Sequence, residues 1–253
     1  MNTQAIALIT GGNRGLGRAA ALALAAAGTD VVITYRNNET EAAAVVAEVT
    51  AAGRKAVALQ LDTTDFAAFP TFATTLSDAL QETWGRDTFD FLVNNAGSGA
   101  HTTVGNTTAK DFDAMVNVHF KGPVFLTQEL LPLMSDGGRI LNVSTGLNRF
   151  VGVGFSIYSS VKAAVDNYTR YLAKELGPRG ITVNSIAPGP IATDFGGGRV
   201  RDDEGTNAFF ASQTALGRVG LPEDIGGAIA TLLAPGAGWI TGQRIEASGG
   251  TLL

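Results

Sequence analysis

The chain has 253 residues, of which 45% are hydrophobic and 16% are charged, and its net charge at neutral pH is −5. This length fits one large α/β domain or two small ones, and the negative charge gives no general support for binding to nucleic acid or to an acidic membrane. Cysteine is absent and His101 and His119 are the only histidines, which excludes disulfides, thiolate chemistry and a histidine-rich metal centre.

The N-terminal residues carry no recognisable targeting signal. Residues 1–9 have neither the basic flank nor the long apolar region of a signal peptide. No apolar run in the chain approaches the roughly 20 residues that a membrane span needs. We therefore expect a cytoplasmic protein with no membrane partner.

The first part of the chain has the pattern of a nucleotide-binding unit. Residues 5–9 form a continuous apolar run, which is typical of a strand buried on both faces. A glycine-rich turn at 10–17 follows, then an alanine-rich helix to about residue 27 and a second strand at 31–34. This order predicts the βαβ unit that holds a dinucleotide, with its pyrophosphate at the helix N-terminus.

The glycine spacing by itself is a weaker signal than the order of the elements. Gly11, Gly15 and Gly17 form the pattern G-x-x-x-G-x-G, whereas the commoner dinucleotide pattern is G-x-G-x-x-G. Many strand-to-helix turns need glycine for backbone reasons alone. A turn without any ligand therefore remains an alternative at this point.

Strands and helices continue to alternate as far as the C-terminal residues. Further strands are expected at 55–60, 89–93, 139–143, 182–185 and 243–247, and helices at 39–52, 66–83, 108–134, 156–176 and 222–233. An irregular segment is expected from about 187 to 213. The alternation predicts a single α/β domain over residues 1–253, a doubly wound Rossmann fold with a seven-stranded parallel sheet and helices on both faces.

The helix expected at 156–176 carries a pair of side chains that could transfer a proton. Tyr158 and Lys162 are four residues apart, so they lie one turn apart on the same helix face. An ammonium group beside a phenol favours the phenolate and lowers the pKa of the tyrosine from its usual value of about 10. Taken alone, such a pair is more often an exposed surface pair.

Several motifs in the chain together resemble those of one family. They are Thr10-Gly11-x-x-x-Gly15-x-Gly17, Asn94-Asn95-Ala96-Gly97, Asn117, Tyr158-x-x-x-Lys162, Pro188-Gly189 and Ser248-Gly249-Gly250. In this order they resemble the short-chain dehydrogenase/reductase family, in its short, non-extended branch. The resemblance covers the whole chain, and the ordered set is far more specific than any one motif.

The resemblance implies roles for four catalytic residues. Tyr158 would be the general acid when a ketone is reduced and the base in the reverse direction, and Lys162 would lower its pKa and hold the nicotinamide ribose. Asn117 would position a water that relays protons to Lys162. The serine of the family's tetrad, thirteen residues before the tyrosine, is replaced here by Thr145, which we expect to hydrogen-bond the substrate carbonyl; Ser144 takes that role if a bulge shifts the strand.

The cofactor expected from the resemblance is NADPH. An acidic residue at the end of the second strand would repel a 2′-phosphate, but Tyr35 and then Arg36 stand there, and Arg14 adds a second cation from the glycine turn. A guanidinium suits bidentate contact with phosphate, although two solvated surface arginines are the alternative. The full expected cofactor set is Gly11, Asn13, Arg14, Gly15, Leu16, Gly17, Tyr35, Arg36, Asp62, Thr63, Asn95, Ala96, Gly97, Tyr158, Lys162, Pro188, Gly189, Ile191 and Thr193.

The substrate site is expected between the segment at 149–156 and a mobile lid at about 195–213. Phenylalanines in both segments suit an apolar substrate, either an aromatic ketone or an acyl chain, unless they only pack the lid. The expected substrate-binding residues are Ser144, Thr145, Phe150, Phe155, Phe195 and Phe209. His101 could line the mouth of the site, whereas His119 lies two residues after Asn117, on another helix face, and is assigned no chemistry.

These expectations combine into an NADPH-dependent carbonyl reductase without a metal. A 3-oxoacyl-[acyl-carrier-protein] reductase has the same motifs and is the alternative, ranked second because the segment at 134–138 lacks a cationic cluster. A dinucleotide-sensing protein without turnover is the alternative from another class. The resemblance also implies a homotetramer, with the helices at 108–134 and 156–176 at one interface.

Overall fold

The strands form one parallel sheet. The structure, a computed structural model, describes residues 4–253. Within them the sheet has seven strands: β1 Ile6–Ile9, β2 Asp30–Tyr35, β3 Ala56–Gln60, β4 Phe89–Asn94, β5 Met134–Val143, β6 Thr182–Pro188 and β7 Arg244–Ala247. Their order is β3-β2-β1-β4-β5-β6-β7, and every neighbouring pair is parallel.

The strand order has a functional consequence. From β1 the chain adds β2 and β3 on one side, and it then returns to add β4 to β7 on the other side. The helical crossovers of the two halves therefore cover opposite faces of the sheet. In open α/β sheets the crevice at the carboxyl ends of the strands, where the order reverses, is the usual ligand site. The predicted doubly wound α/β fold is confirmed.

The helices lie on both faces. They are α1 Gly15–Ala26, α2 Glu39–Ala51, α3 Phe69–Trp84, α4 Ala109–Val116, α5 Gly122–Leu130, α6 Ser156–Leu176, α7 Arg199–Asp202, α8 Glu204–Ser212 and α9 Pro222–Leu233. Helices α1, α2 and α9 bury Leu24, Val45 and Ile229 against one face of the sheet. Helices α3, α5 and α6 bury residues such as Leu76 and Leu126 against the other. None of the helices from residue 4 onward is long and apolar enough to cross a membrane.

The long helix predicted at 108–134 is not continuous. A capping box between Thr108 and Asp111 starts α4, but the chain then makes a π-helical segment at Asn117–Lys121 before α5 begins. Helix α5 ends at Leu130, and a 3-10 turn containing Pro132 leads into β5, which begins five residues earlier than predicted. The π turn holds an extra residue per turn, so it changes which side chains share a helix face.

The segment expected to be irregular also contains helices. A run of three glycines at 196–198, each with a positive φ, precedes α7. Asp203 then caps α8, because its side chain accepts a hydrogen bond from the Thr206 N–H. The glycines that suggested an irregular lid lie before α7, and among the charged residues Asp203 caps α8.

Candidate active site

A large cavity of about 1460 Å³ lies at the carboxyl ends of the strands and extends from the glycine turn to α8. Every residue expected at the site lines this cavity except Gly17. Gly17 is buried behind the turn, where a Cβ would lie 2.3 Å from the carbonyl oxygen of Gly11. A glycine is therefore required there for the close packing of the turn, and the cofactor-binding role of Gly17 stays a prediction.

Thr10 joins the glycine turn to the loop after β4. Its hydroxyl accepts hydrogen bonds from the N–H groups of Asn95 and Ala96, both at 2.9 Å. The Asn95 side chain donates back to the Thr10 carbonyl at 2.8 Å. Two loops that are far apart in sequence thus form one rigid wall of the cavity.

The end of the cavity near β2 carries the two predicted cations. Arg36 is exposed, and among the described residues it forms no ion pair. Arg14 lies 3.8 Å from Asp194, and this pair is largely exposed, so solvent screens it. Tyr35 stands before Arg36 where an acid would repel a phosphate. Asp62 and Thr63 border the same end.

Tyr158 and Lys162 are buried side by side on α6, with 8% and 4% of their surface exposed. The Lys162 Nζ donates to the Val143 carbonyl at 2.6 Å. Burial lowers the pKa of Lys162 to about 8, while the charge of Asp166 acts in the opposite direction. The pair therefore faces the cavity rather than the protein surface.

The pKa of Tyr158 differs from the expectation. Burial raises it to about 12, and a hydrogen bond with Thr145 lowers it by less. The expected fall in pKa beside an ammonium group is wrong for the protein alone, because desolvation of the phenolate outweighs the other effects. At neutral pH the group is a phenol that can donate a proton.

The two hydroxyls at the end of β5 have different partners. The Thr145 hydroxyl is the one beside the Tyr158 phenol, and it also accepts from the Leu147 N–H at 3.3 Å. The Ser144 hydroxyl accepts from the Asn148 side chain at 3.2 Å. The geometry therefore brings Thr145 to the tyrosine and ties Ser144 into a different network.

His119 lies at the centre of the site, contrary to the expectation that it faces elsewhere. Its ring is 1% exposed and packs edge-to-face on Tyr158, with ring centroids 5.2 Å apart. Its Nε2 lies 2.6 Å from the Ser98 carbonyl oxygen, so Nε2 carries the proton. Burial, and then the charge of Lys162, lower the pKa of His119 to about 3. The π turn at Asn117–Lys121 brings it here, and no sequence pattern used above marks such a turn.

Aromatic side chains enclose the outer part of the cavity. The rings of Phe195 and Phe155 lie 5.7 and 6.5 Å from that of Tyr158. Phe209 lines the same space from α8 and is 60% exposed. His101 packs on Phe155 at 5.4 Å and lines the mouth, as the sequence suggested.

The cavity fits a dinucleotide together with a second molecule. Its volume exceeds the roughly 300–1,000 Å³ of a typical small-ligand pocket. One end offers the glycine turn, the N-terminus of α1 and two arginines, which suit phosphate groups. The other end offers a buried phenol, a hydroxyl and an ammonium group within an apolar surround. From residue 4 onward, no group of three or more His, Cys, Asp or Glu residues could hold a metal ion.

Comparison with known proteins shows the family of this chain. A family model described as enoyl-(acyl carrier protein) reductase matches residues 11–251. The chain is 37% identical over 255 residues to 3-oxoacyl-[acyl-carrier-protein] reductase of Synechocystis sp., covering 99% of this chain and 98% of that protein. The chain belongs to the short-chain dehydrogenase/reductase family and is an oxidoreductase.

Two solved structures are similar along almost their whole length. The promiscuous reductase LugOII, which catalyses keto-reduction at C1 during lugdunomycin biosynthesis, superposes with a TM-score of 0.93 at 36% identity, covering 100% of this chain and 99% of that one. The angucycline C-6 ketoreductase LanV, with bound NADP, superposes with a TM-score of 0.93 at 35% identity, covering 99% and 97%. The family's fold is thus shared at high similarity.

Proposed function

We propose that this protein is an NADPH-dependent reductase that converts a ketone to an alcohol, with Tyr158 as the proton donor. The observation that carries the proposal is the buried phenol of Tyr158, which lies beside the Thr145 hydroxyl and lines the same cavity as the buried Lys162. The two similar solved structures are both keto-reducing enzymes, and one of them holds NADP.

The residues divide the work of the reduction. The glycine turn and the N-terminus of α1 would hold NADPH, which would supply the hydride for the carbonyl carbon. The Thr145 hydroxyl donates a hydrogen bond to the substrate carbonyl oxygen and holds it near the Tyr158 phenol. Tyr158 donates its proton to that oxygen, since its raised pKa keeps the phenol protonated at neutral pH.

Lys162 and Asn117 would keep Tyr158 supplied with protons. The Lys162 ammonium is held by the Val143 carbonyl, and it would also bind the nicotinamide ribose. Asn117 lines the same cavity at the start of the π turn, where it would position the water that relays protons to Lys162. The ribose side would lie along Asn95 to Gly97, and the carboxamide near Ile191 and Thr193.

The choice of NADPH over NADH would depend on charge at the β2 end. Arg36 is free of ion pairs within the described residues, so its guanidinium is available to a 2′-phosphate. Arg14 has only the screened contact with Asp194. Tyr35 brings no negative charge to this end.

A 3-oxoacyl-[acyl-carrier-protein] reductase is the second candidate, because such an enzyme is among the similar proteins. An acidic carrier protein needs a basic docking surface near the site. Arg179, which contacts the segment at 134–138, does not line the cavity. It pairs with Asp136 at 2.7 Å and donates to the carbonyls of Leu131 and Met134. We therefore favour a free ketone as the substrate.

The test is oxidation of NADPH, followed by absorbance, with a panel of aryl, acyl, sugar and steroid ketones and with an acyl-carrier-protein thioester. We expect turnover of apolar ketones, and Tyr158→Phe should lower kcat by roughly 10²-fold or more. Tight binding of NADPH with no turnover of any carbonyl would instead support a dinucleotide-sensing protein.

A second comparison tests the hydroxyl assignment. Thr145→Val removes the hydroxyl beside Tyr158 and keeps the branched shape, whereas Ser144→Ala removes the hydroxyl bonded to Asn148. We expect the first variant to lose most of its kcat and the second to keep most of it. Full turnover by Thr145→Val would transfer the role to Ser144.

We also propose the assembly and organisation implied by the family. Residues 1–253 would form one domain with a lid at about 195–213, in a cytoplasmic homotetramer. Phe112, Phe125 and Tyr171 support an interface along α4, α5 and α6, because these large side chains are 47%, 44% and 62% exposed. Light scattering tests the assembly, and fractionation of producing cells tests the location.

A further inference from the structure

Four neighbouring strands carry a row of polar side chains just inside the active-site edge of the sheet. Asn94, Asn142, Ser185 and Arg244 are successive register partners on β4, β5, β6 and β7. Register partners project to the same face of a sheet. Asn94 donates to Asn142 at 2.9 Å, and Arg244 lies at the edge-strand end of the row, beyond Ser185.

Arg244 reaches from the edge strand toward the active site. Its Nη2 donates to the carbonyl oxygen of Thr145 at 2.9 Å. Its Nη1 donates to Glu246 at 3.2 Å, and its Nε lies 3.3 Å from Asp166 Oδ2, at ion-pair distance but without the angle of a hydrogen bond. Two carboxylates therefore hold the guanidinium while one of its N–H groups holds Thr145.

The Thr145 peptide needs such a contact, because it lies beyond the end of the strand ladder. The last register pair of β5 and β6 is Val143 with Ile186, and the Ser144 N–H makes the final ladder contact with the Ile186 carbonyl at 2.7 Å. Among the described residues, the Thr145 carbonyl otherwise receives only the Asn148 N–H, at 3.5 Å. The short contact from Arg244 thus fixes the orientation of this peptide.

Asp166 connects the same arginine to the rest of the site. It lies one helical turn after Lys162 on α6, and its charge raises the pKa of Lys162 against the effect of burial. Its two oxygens accept hydrogen bonds from Ser185 at 2.7 Å and from the Asn148 side chain at 2.6 Å. The carboxylate that supports the Lys162 ammonium therefore also anchors Arg244.

We propose that Arg244 is a positioning residue for the reduction. Its guanidinium, anchored by Asp166, holds the Thr145 carbonyl so that the Thr145 hydroxyl stays directed at the substrate oxygen beside Tyr158. Arg244 does not itself line the cavity, so it acts through Thr145. The inference rests on the proposed function of the Thr145 hydroxyl.

The experiment is a double-mutant cycle between Arg244→Gln and Thr145→Val, with kcat, KM and NADPH affinity measured for each variant. Because a misplacement of about 1 Å can cost up to ~10²-fold in rate, we expect Arg244→Gln to lower kcat about 10-fold. NADPH affinity, measured by fluorescence titration, should not change. In the Thr145→Val background, Arg244→Gln should lower kcat no further, because the hydroxyl that it positions is gone.

A matched control separates positioning from general stabilisation. Arg139 on β5 also donates to backbone carbonyls, those of Leu233 at 3.1 Å and Pro235 at 3.5 Å, but it does not line the cavity. Arg139→Gln should therefore lower Tm and leave kcat unchanged. Arg244→Lys, which keeps a cation for Asp166 and Glu246, serves as a second variant if Arg244→Gln does not fold, and it should show the same dependence on Thr145.

The outcomes distinguish this inference from the proposed function. If Arg244→Gln lowers kcat by the same factor in the unmodified protein and in Thr145→Val, the positioning role is overturned. The role is also overturned if Arg244→Gln lowers Tm without changing kcat, which is the result expected for the Arg139→Gln control. If Thr145→Val alone keeps full kcat, the role of Thr145 and that of Arg244 both fail, while NADPH-dependent turnover of a ketone by the unmodified protein would still support a reductase.

Discussion

The ring of His119 packs edge-to-face against the ring of Tyr158, with centroids 5.2 Å apart and planes at 83°. Its Nε2–H donates to the Ser98 carbonyl, while Nδ1 is buried without a hydrogen-bond partner within the described part of the chain. The same imidazole thus contacts the proposed proton donor and the loop after β4. We therefore expect substitutions at His119 to change both stability and turnover.

His119 should make the protein less stable in acid. Its pKa is about 3 in the folded protein because of burial, and then because of the charge of Lys162, against a usual value of about 6.5 in an unfolded chain. Between these values the unfolded chain binds more protons, so the free energy of unfolding falls as the pH drops from about 6.5 toward about 3.

The variant His119→Gln tests this pH dependence. A glutamine amide can still donate to the Ser98 carbonyl but does not titrate. At pH 5 the imidazole costs on the order of 2 kcal/mol relative to pH 7, and this part of the acid loss should disappear in the variant. Urea unfolding at pH 5 and pH 7 gives the measurement, and identical pH dependence in both proteins would contradict it.

Cofactor preference should respond to the charge after β2. Arg36→Asp places a carboxylate where a 2′-phosphate would bind, so the KM for NADPH should rise about 10-fold or more while the KM for NADH stays nearly constant. Arg170→Asp is the matched control, because Arg170 is exposed on α6 and does not line the cavity. An unchanged preference in Arg36→Asp would indicate that Arg36 is only a solvated surface residue.

The sequence was sufficient to predict the parallel sheet and most of the cavity wall. Continuous apolar runs such as residues 5–9 mark strands that are covered on both faces. At the centre of the sheet, β1 is buried throughout and β4 is buried at every residue except Asp90. The residues that come directly after each strand lie at the carboxyl edge of a parallel sheet. Once the strands were predicted, the positions of these residues around one cavity could also be predicted.

The features that could not be predicted depend on long-range geometry. The π turn at Asn117–Lys121 has no repeating pattern, yet it decides where His119 points. The pKa of Tyr158 depends on how completely the fold removes water, which the spacing to Lys162 does not reveal. Gly17 resembles a cofactor glycine in sequence, but its packing against Gly11 becomes visible only in three dimensions.

The aromatic side chains near α8 should determine how well large ketones bind. Phe209 lines the cavity and is 60% exposed without substrate, so a bulky apolar substrate would cover it. Phe209→Ala should raise the KM for large aromatic ketones by roughly 10-fold, since burying a phenylalanine is worth about 1.5–3 kcal/mol. A small aliphatic ketone should be unaffected.

The control for this prediction is Val104→Ala. Val104 is also apolar and is 90% exposed, but it does not line the cavity. Its KM values should match those of the unmodified protein for both substrates. Equal effects of the two variants on large and small ketones would mean that Phe209 only stabilises α8.

Gly97 should not tolerate a larger residue, because a side chain there would clash with the His119 ring; its backbone conformation does not require glycine. Its φ is not in the positive range that favours glycine, but a Cβ there would lie 2.6 Å from His119 Cε1 and 3.1 Å from Nδ1. The imidazole cannot retreat easily, because it is buried between Ser98 and the Tyr158 ring. Gly97→Ala should therefore displace the ring on which Tyr158 packs and lower kcat about 10-fold.

A shorter side chain at 119 should relieve this clash. His119→Asn has no atom at the Cε1 position, so adding Gly97→Ala to it should change kcat by less than about 2-fold, although Gly97→Ala alone is harmful. Gly105→Ala is the matched control, because a Cβ at Gly105 meets nothing within 4 Å and its φ is also not positive. If Gly97→Ala lowers kcat equally in both backgrounds, the alanine methyl group acts on the bound cofactor and not on the ring of His119.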